Sequence, residues 1–419
     1  MIGDYKRFDM KQPPLRQMNL LRPLTWILSV PEVLQHRVKI NRLNMKGIKP
    51  PYLLLCNHNS FLDFKIMTAA IFPHRANYVV AIDGFIKRKW LMRLVGCICT
   101  RKFTNDLMLV RKMLHVISQG DIVVLFPEAR YSLCGTNAVL PDSLGKLIKK
   151  MNVPVVTLIM HGHHINSPFW NSHNRSVKPI EAELKLLHTP EQLQNLTVPE
   201  INEKLRQTFV YDDFMWQKEN EIEVKYPKRA EGLHKVLYQC PHCLTEYHMD
   251  SKYDTLWCNQ CGKKWIMSTL GELRAEEGQT EFSHIPDWYE WERENVRREI
   301  ESGIYHFQST ATVYSLPNSS GFINLGTATL VHNRNGFVLE GSHNDTLYEL
   351  TWTPKALYSC HIEYNYRKLG DCIDLNTNND TLYIYPQTKN CSVTKISLAT
   401  EELYKLTQIE RMEKYNFAL

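Results

Sequence analysis

The order of apolar runs along the chain predicts three successive folding units. The first is an α/β domain built on a mostly parallel sheet with helices, the second a compact four-cysteine unit, and the third a β-rich, barrel-like C-terminal domain capped by a helix. Three observations carry this reading. Short apolar runs suited to buried strands alternate with stretches of helical periodicity between residues 52 and 159. Cys240/Cys243 and Cys258/Cys261 form two Cys-x2-Cys pairs. From Tyr305 onward, short alternating runs are separated by Asn335-Gly336, Gly341-Ser342-His343-Asn344-Asp345 and Asn376-Thr377-Asn378-Asn379-Asp380, all strong turn signals. A chain of 419 residues exceeds one ordinary core, and 43% hydrophobic with 22% charged residues is a globular composition rather than a disordered one.

Residues 1–35 form an N-terminal segment in which 15–28 reads as an amphipathic helix. Met18, Leu21, Leu24 and Leu28 fall at helical spacing, and Pro23 kinks or splits the helix. Such a helix either lies in a membrane interface or packs on a core, and the pattern fits both. The best apolar stretch, 20–34, is interrupted by Arg22, Pro23, Pro31 and Glu32. It falls short of the roughly 20 apolar residues a bilayer span needs. No secretory signal is visible at the start. A cytoplasmic protein is therefore expected, with its 11 cysteines present as thiols or metal ligands before disulfides.

The α/β domain is assigned to 36–230. Its strand candidates are 52–56, 78–81, 96–99, 122–126 and 153–159, with helices over 61–71, 107–118 and 143–151. The cysteine unit covers 234–268, and a charged helical connector carrying Trp288 and Trp291 covers 269–302. The β-rich domain covers 303–419 and closes with a helix over 398–412. Strands followed by one final helix look like a pleckstrin-homology-type barrel, a likeness that assigns no function by itself.

Charge is polarised. Residues 36–120 carry 15 lysines and arginines against three aspartates, a net +12, while the whole chain carries only +6. A skew of this kind points to an anionic partner such as a phosphate head group, an acidic membrane surface or nucleic acid, or else to a solvated basic face.

In Asn57-His58-Asn59-Ser60-Phe61-Leu62-Asp63, a strand candidate delivers His58 just past its end, with Asp63 at the start of a helix. A neutral imidazole can take the proton of an attacking hydroxyl, and a carboxylate on its other nitrogen fixes the tautomer and stabilises the imidazolium. Further along lie Gly96-Cys97-Ile98-Cys99-Thr100-Arg101, Phe126-Pro127-Glu128-Ala129-Arg130-Tyr131-Ser132 and Val153-Pro154-Val155-Val156. In order and spacing these four segments resemble the sequence blocks of the glycerophospholipid acyltransferase family, which includes the 1-acylglycerol-3-phosphate acyltransferases.

The resemblance implies an enzyme that moves an acyl group from a thioester, acyl-CoA or acyl carrier protein, to the sn-2 hydroxyl of a lysophospholipid. The acceptor implied is 1-acylglycerol-3-phosphate, and the product phosphatidic acid. It makes His58 and Asp63 catalytic and Arg101, Glu128 and Arg130 substrate-binding, and it implies peripheral attachment to a membrane. One block departs from the usual Phe-Pro-Glu-Gly-Thr-Arg-Ser: Ala129 stands for Gly, Arg130 for Thr and Tyr131 for Arg. Either Arg130 still reaches the acceptor phosphate, or Arg101 and local lysines hold it, Lys102 and Lys87-Arg88-Lys89 among them.

The two cysteine pairs, 14 residues apart, have zinc-ribbon spacing, and four thiolates from Cys240, Cys243, Cys258 and Cys261 make a closed structural zinc site. His161-Gly162-His163-His164 has no carboxylate or cysteine beside it in sequence and reads as an ordinary loop near the site's mouth. Cys56, Cys97, Cys99 and Cys134 read as buried small hydrophobes. A competing reading is a non-catalytic scaffold that binds lipid or a partner through an acyltransferase-like fold and the ribbon. Nucleic acid is not the expected partner, because the ribbon carries few cations.

Overall fold

A computed structural model describes residues 2–416 apart from residue 172, with side chains through Arg411. Its first sheet has seven strands: β1 (Lys39–Leu43), β2 (Leu53–Cys56), β3 (Ala76–Ala81), β4 (Cys97–Thr100), β5 (Ile122–Leu125), β6 (Val155–His161) and β7 (Glu181–His188). Their spatial order is β1-β7-β6-β2-β5-β3-β4. The five strands from β6 to β4 are parallel, as the apolar runs require of a sheet covered on both faces. β7 runs antiparallel to β6, and β1 is parallel to β7, so the sheet is mixed at that end. Neither β1 nor β7 was expected. The helices of this unit are α1 (Arg22–Gln35), α2 (Leu62–Ala70), α3 (Lys89–Leu94), α4 (Leu107–Ser118), α5 (Ser143–Met151), α6 (His163–Asn166), α7 (Pro190–Asn195), α8 (Val198–Thr208) and α9 (Asp213–Glu219).

The N-terminal helix differs from its expected place. It begins at Arg22, after a short 3-10 turn over Asn19–Leu21, and Pro23 sits in its first turn. A proline there needs no intrahelical N–H and starts the helix instead of kinking it. α1 buries the small residues Thr25, Ser29 and Val33, and it packs against α2. The two hydroxyls are satisfied by the helix's own carbonyls, Thr25 Oγ1 on Arg22 at 2.8 Å and Ser29 Oγ on Thr25 at 2.7 Å. The larger apolar side chains Leu20, Leu24, Ile27, Leu28 and Leu34 are left exposed, as are Phe61 and Phe72. No helix among the described residues is long and apolar enough to cross a membrane.

The cysteine unit is a four-stranded antiparallel sheet of β8 (Met249–Lys252), β9 (Thr255–Cys258), β10 (Lys264–Met267) and β11 (Leu273–Ala275). β11 falls in the stretch expected to begin the connector; the helical part, α10 (Ile285–Glu301), starts later. Trp288 on α10 is buried against Trp265 of β10, ring centroids 5.0 Å apart, and donates its indole N–H to the Gln239 carbonyl at 3.0 Å.

The C-terminal unit has seven strands, β12 (His306–Ser315), β13 (Ile323–Asn333), β14 (Gly336–His343), β15 (Thr346–Trp352), β16 (His361–Glu363), β17 (Cys372–Asn376) and β18 (Thr381–Pro386), and then α11 (Val393–Asn416). They run in the order β15-β14-β13-β12-β18-β17-β16 with antiparallel neighbours throughout. The three turn signals fall between β13 and β14, β14 and β15, and β17 and β18. Asn344 and Asp345 both take positive φ, the conformation a tight hairpin needs and these residues tolerate.

Buried charge joins this unit to the first. The Arg130 guanidinium lies 2.8 Å from Glu401 of α11, and Arg293 of α10 meets the other oxygen of Glu401 at 2.8 Å. Glu401 is fully buried and also accepts from Ser359 Oγ at 2.8 Å. The carboxyl is held down at about 2, burial being outweighed by Arg130 and Arg293. Removing one partner of such a buried cluster strands the other charges. Glu401→Ala is therefore expected to cost ~3–5 kcal/mol, read from the denaturant midpoint, and a loss under ~1 kcal/mol would show that the pairing does not hold the units together. Because the folded pKa lies below the ordinary 4.5, the contribution is full above that pH and is lost as the pH falls towards about 2.

Candidate active site

The end of β2 and the start of α2 build the site. His58 comes two residues after the strand, and its backbone N–H donates to Glu128 Oε2 at 3.0 Å while its carbonyl accepts from the Ser132 N–H at 3.0 Å. The loop after β5 thus clamps His58 from both sides of its peptide. Asp63, in the first turn of α2, is fully buried. One of its oxygens accepts the N–H groups of Asn59 at 2.7 Å and Ser60 at 3.1 Å and lies 3.0 Å from His58 Nδ1. This contact leaves His58 Nε2 without a hydrogen-bond partner among the described residues, and the side chain keeps 24% of its surface exposed. The rings of Phe126 and Tyr131 lie 4.2 and 4.3 Å from the imidazole, so the ring is held on both the carboxylate and its flanks.

Electrostatics suit a proton acceptor. Burial lowers the His58 pKa; Asp63 opposes the shift, and the cations Lys102 and His163 add to it. His58 is thereby favoured in its neutral form. Asp63 stays ionised despite its burial because two imidazoles face it.

Glu128, expected to bind substrate, is bonded within the protein. Its oxygens accept from the N–H of His58, the Ala138 N–H at 2.7 Å and the Tyr211 hydroxyl at 3.2 Å, and it is fully buried. Burial lifts its pKa to about 7. Its place is to tie the loop after β5 to the loop carrying His58.

Nor are Arg101 and Arg130 aimed at the opening. Arg101 is buried and gives Nη1 to Leu316 O at 3.1 Å and Thr381 Oγ1 at 2.7 Å, and Nη2 to Pro317 O at 3.0 Å and Asn379 O at 3.1 Å. Every one of these acceptors belongs to the C-terminal unit. Arg130 is taken up by Glu401 and the Tyr131 carbonyl. Where the sequence led to arginines holding an acceptor phosphate, most of their N–H groups are here engaged by the C-terminal unit. Lys102, 4.0 Å from Asp374, is the cation whose charge reaches His58.

The departure after Glu128 has a local cause. Ala129, where the family pattern has glycine, sits at φ 54°, so the chain keeps the left-handed turn in spite of a Cβ. Gly135, retained from the pattern, has φ 83°, and a Cβ there would meet His164 at 3.0 Å.

Residues 32–161 match the profile of the family described as Acyltransferase. This part of the chain is an acyltransferase domain. Among solved structures, the 1-acyl-sn-glycerophosphate (LPA) acyltransferase PlsC from Thermotoga maritima is a distant likeness, with 13% identity, a TM-score of 0.37, and coverage of 45% of this chain and 76% of that one. The matched residues include both His58 and Asp63.

Sequence reasoning missed His163. Its Nδ1 lies 2.6 Å from the second oxygen of Asp63, and the side chain is completely buried. The carboxylate absent from its own stretch of sequence arrives from α2, so spacing along the chain gave no sign of it. Phe126 and Tyr131 were likewise legible only as block residues, not as walls of the site.

Away from this site, the sulfurs of Cys240, Cys243, Cys258 and Cys261 all lie within 4.8 Å of one another. Two of the separations are 3.8 Å (Cys240–Cys261) and 3.7 Å (Cys243–Cys258). Those values match the ~3.8 Å edge of a tetrahedron with metal–sulfur bonds of ~2.3 Å. Both knuckles turn through a left-handed residue directly after the second cysteine, Leu244 at φ 64° and Gly262 at φ 77°. The donor set therefore fits a four-coordinate thiolate site. His242 is exposed and faces Glu281 at 3.3 Å rather than the sulfurs.

Proposed function

We propose that the chain transfers a fatty acyl group from acyl-CoA or acyl carrier protein to the sn-2 hydroxyl of a lysophospholipid, with 1-acylglycerol-3-phosphate as acceptor and phosphatidic acid as product. The observation that carries the reading is the contact of His58 Nδ1 with Asp63 on a side chain that stays partly exposed. His58 takes the hydroxyl proton as the oxygen attacks the thioester carbonyl. Asp63 holds Nδ1–H and stabilises the imidazolium formed. Collapse of the tetrahedral intermediate breaks the C–S bond, and the proton passes from His58 to the leaving thiolate. The head-group phosphate meets Lys102 beside the ring in place of the two committed arginines.

Membrane attachment is peripheral, from the cytoplasmic side, through the apolar face of α1. Leu20, Leu24, Ile27, Leu28 and Leu34 are exposed together with Phe61, which stands three residues after His58. A face of this kind in the lipid interface would bring the site to its acceptor's own surface. Zinc on the four cysteines is structural: all four positions are filled by sulfur, leaving none for water. It fixes the ribbon against α10 and, through Arg293, the Glu401 cluster. The strand order with α11 packed beside it supports a pleckstrin-homology-type C-terminal domain. Its first hairpin loop, residues 316–322, is spent on Arg101, so it serves here as a brace. That same engagement favours a second reading, a lipid-binding scaffold without turnover.

His58→Ala is expected to remove acyl transfer from a thioester to 1-acylglycerol-3-phosphate by ~10²–10⁴-fold or more while circular dichroism stays unchanged. Turnover retained by the variant would exclude His58 as the base, and a folded wild type inert towards a panel of lysophospholipids with both donors would favour the scaffold. Ile27→Asp with Leu28→Asp should release the protein from anionic vesicles in sedimentation; undiminished binding would reject the α1 face. Stripping metal with a strong chelator should lower the melting temperature, and zinc, read by mass in the native protein, should restore it. A protein free of zinc and indifferent to chelation would overturn the ribbon assignment.

A further inference from the structure

Asp63 carries two imidazoles. One oxygen faces His58 at 3.0 Å, and the other faces His163 Nδ1 at 2.6 Å. On the far side of the His163 ring, Nε2 lies 2.5 Å from the Asn59 side-chain amide nitrogen, and the Asn59 amide oxygen has no partner although it is buried. A half-turn of that amide, which exchanges oxygen and nitrogen at almost no steric cost, places the orphaned oxygen on Nε2. Both ring nitrogens of His163 can then donate, one to Asp63 and one to Asn59, with the Asn57 amide nitrogen farther from Nε2 at 3.4 Å.

The surroundings favour that charged form. Asp63 approaches from α2, Asp213 from α9 and Glu128 from the loop after β5, all within electrostatic reach. Two further imidazoles belong to the cluster, and one of them shares Asp213. His164 is held down at about 3 by burial, and His161 faces Asp213 at 3.5 Å from a partly exposed position. These carboxylates raise the His163 pKa against the cost of burial. Lys102 is the remaining cation acting on His58.

We propose that His163 is a positioning residue for the catalytic pair. As a buried imidazolium it shares Asp63 with His58, fixes the carboxylate from behind, and keeps the His58 ring neutral and ready to accept a proton. The physical need is plain. Asp63 pulls the His58 pKa up while burial pulls it down, and a base already protonated at neutral pH cannot take a proton from a hydroxyl. A second positive charge on the same carboxylate cancels part of that pull. His163 itself touches no substrate, being sealed from solvent. The inference rests on His58 being the base of the proposed reaction, but its test needs no turnover.

Histidine C2 hydrogen–deuterium exchange, resolved residue by residue by mass spectrometry across pH 4–10, reports the protonation midpoint of each imidazole in the full chain. His163→Gln keeps an amide donor for Asp63 and removes the charge. The His58 midpoint should rise by roughly 1–2 pH units, as expected for loss of a unit charge ~6–7 Å away at an effective dielectric of ~20. A merely structural role would lower stability and leave that midpoint in place, which would overturn the proposal. Should His163→Gln fail to fold, the wild type decides alone. His163 must remain protonated above the midpoint of an ordinary imidazole, and titration at or below it sinks the idea. A raised His58 midpoint in a protein whose His58→Ala variant still turns over would uphold the pairing and reject the catalytic assignment.

Discussion

The buried carboxylate of Asp63 is the constraint on which the rest of the site hangs. It has lost its water entirely and survives as an anion because backbone N–H groups of Asn59 and Ser60 and two imidazoles converge on its oxygens. An ion in that position cannot be shifted or left with a donor missing without a cost of several kcal/mol. The turn from β2 into α2 is therefore fixed by the same bonds that orient His58. The ring's pose is a by-product of satisfying an aspartate, which is a stiffer arrangement than a base held only by packing.

Glu128 extends the same logic to a second loop. It accepts the N–H groups of His58 and Ala138, joining two strand ends whose residues must stay in register. Tyr131 then lies on the imidazole, and Arg130, its neighbour, points the other way into Glu401. One left-handed residue, Ala129, sets this alternation. The departure from the usual block is thus a rewiring: the aromatic ring comes to the site and the guanidinium to the domain contact.

Much of this was legible in the sequence. β2 through β6 announced themselves as apolar runs, α4 and α5 as periodic segments with fitting ends, and the three hairpins through their Asn, Gly and Asp turns. The elements that stayed hidden did so for physical reasons. β1 is a charged edge strand, Lys39-Ile40-Asn41-Arg42-Leu43, and charge on an edge protects it from stray pairing while erasing the apolar signal. β7, Glu181-Ala182-Glu183-Leu184-Lys185-Leu186-Leu187-His188, alternates as a strand should but is made of good helix formers, so propensity and pattern disagree. α1 hides small hydroxyl residues and shows leucines, the reverse of the usual burial rule. In the site, the catalytic pair could be read because its members lie five residues apart. His163 could not, since its carboxylate comes from 100 residues away.

The fate of the two arginines ties the acyltransferase domain to the C-terminal unit. Arg101 is a cation with almost no solvent left, and burial alone would make it strongly unfavourable. Four oxygens of the C-terminal unit offset that cost, three of them backbone carbonyls that need donors of their own. Each side would be left with unpaired buried groups if the other were removed. The N-terminal segment reinforces the seam, with Arg7 on Asp380 at 2.6 Å and the Phe8 N–H on the Pro317 carbonyl at 2.9 Å. An acyltransferase domain whose arginines are committed in this way is not an independent module carrying appendages. Its site geometry and the packing of the β-rich domain are one cooperative problem, and even Lys102, the lysine whose charge acts on His58, lies 4.0 Å from Asp374 of that domain.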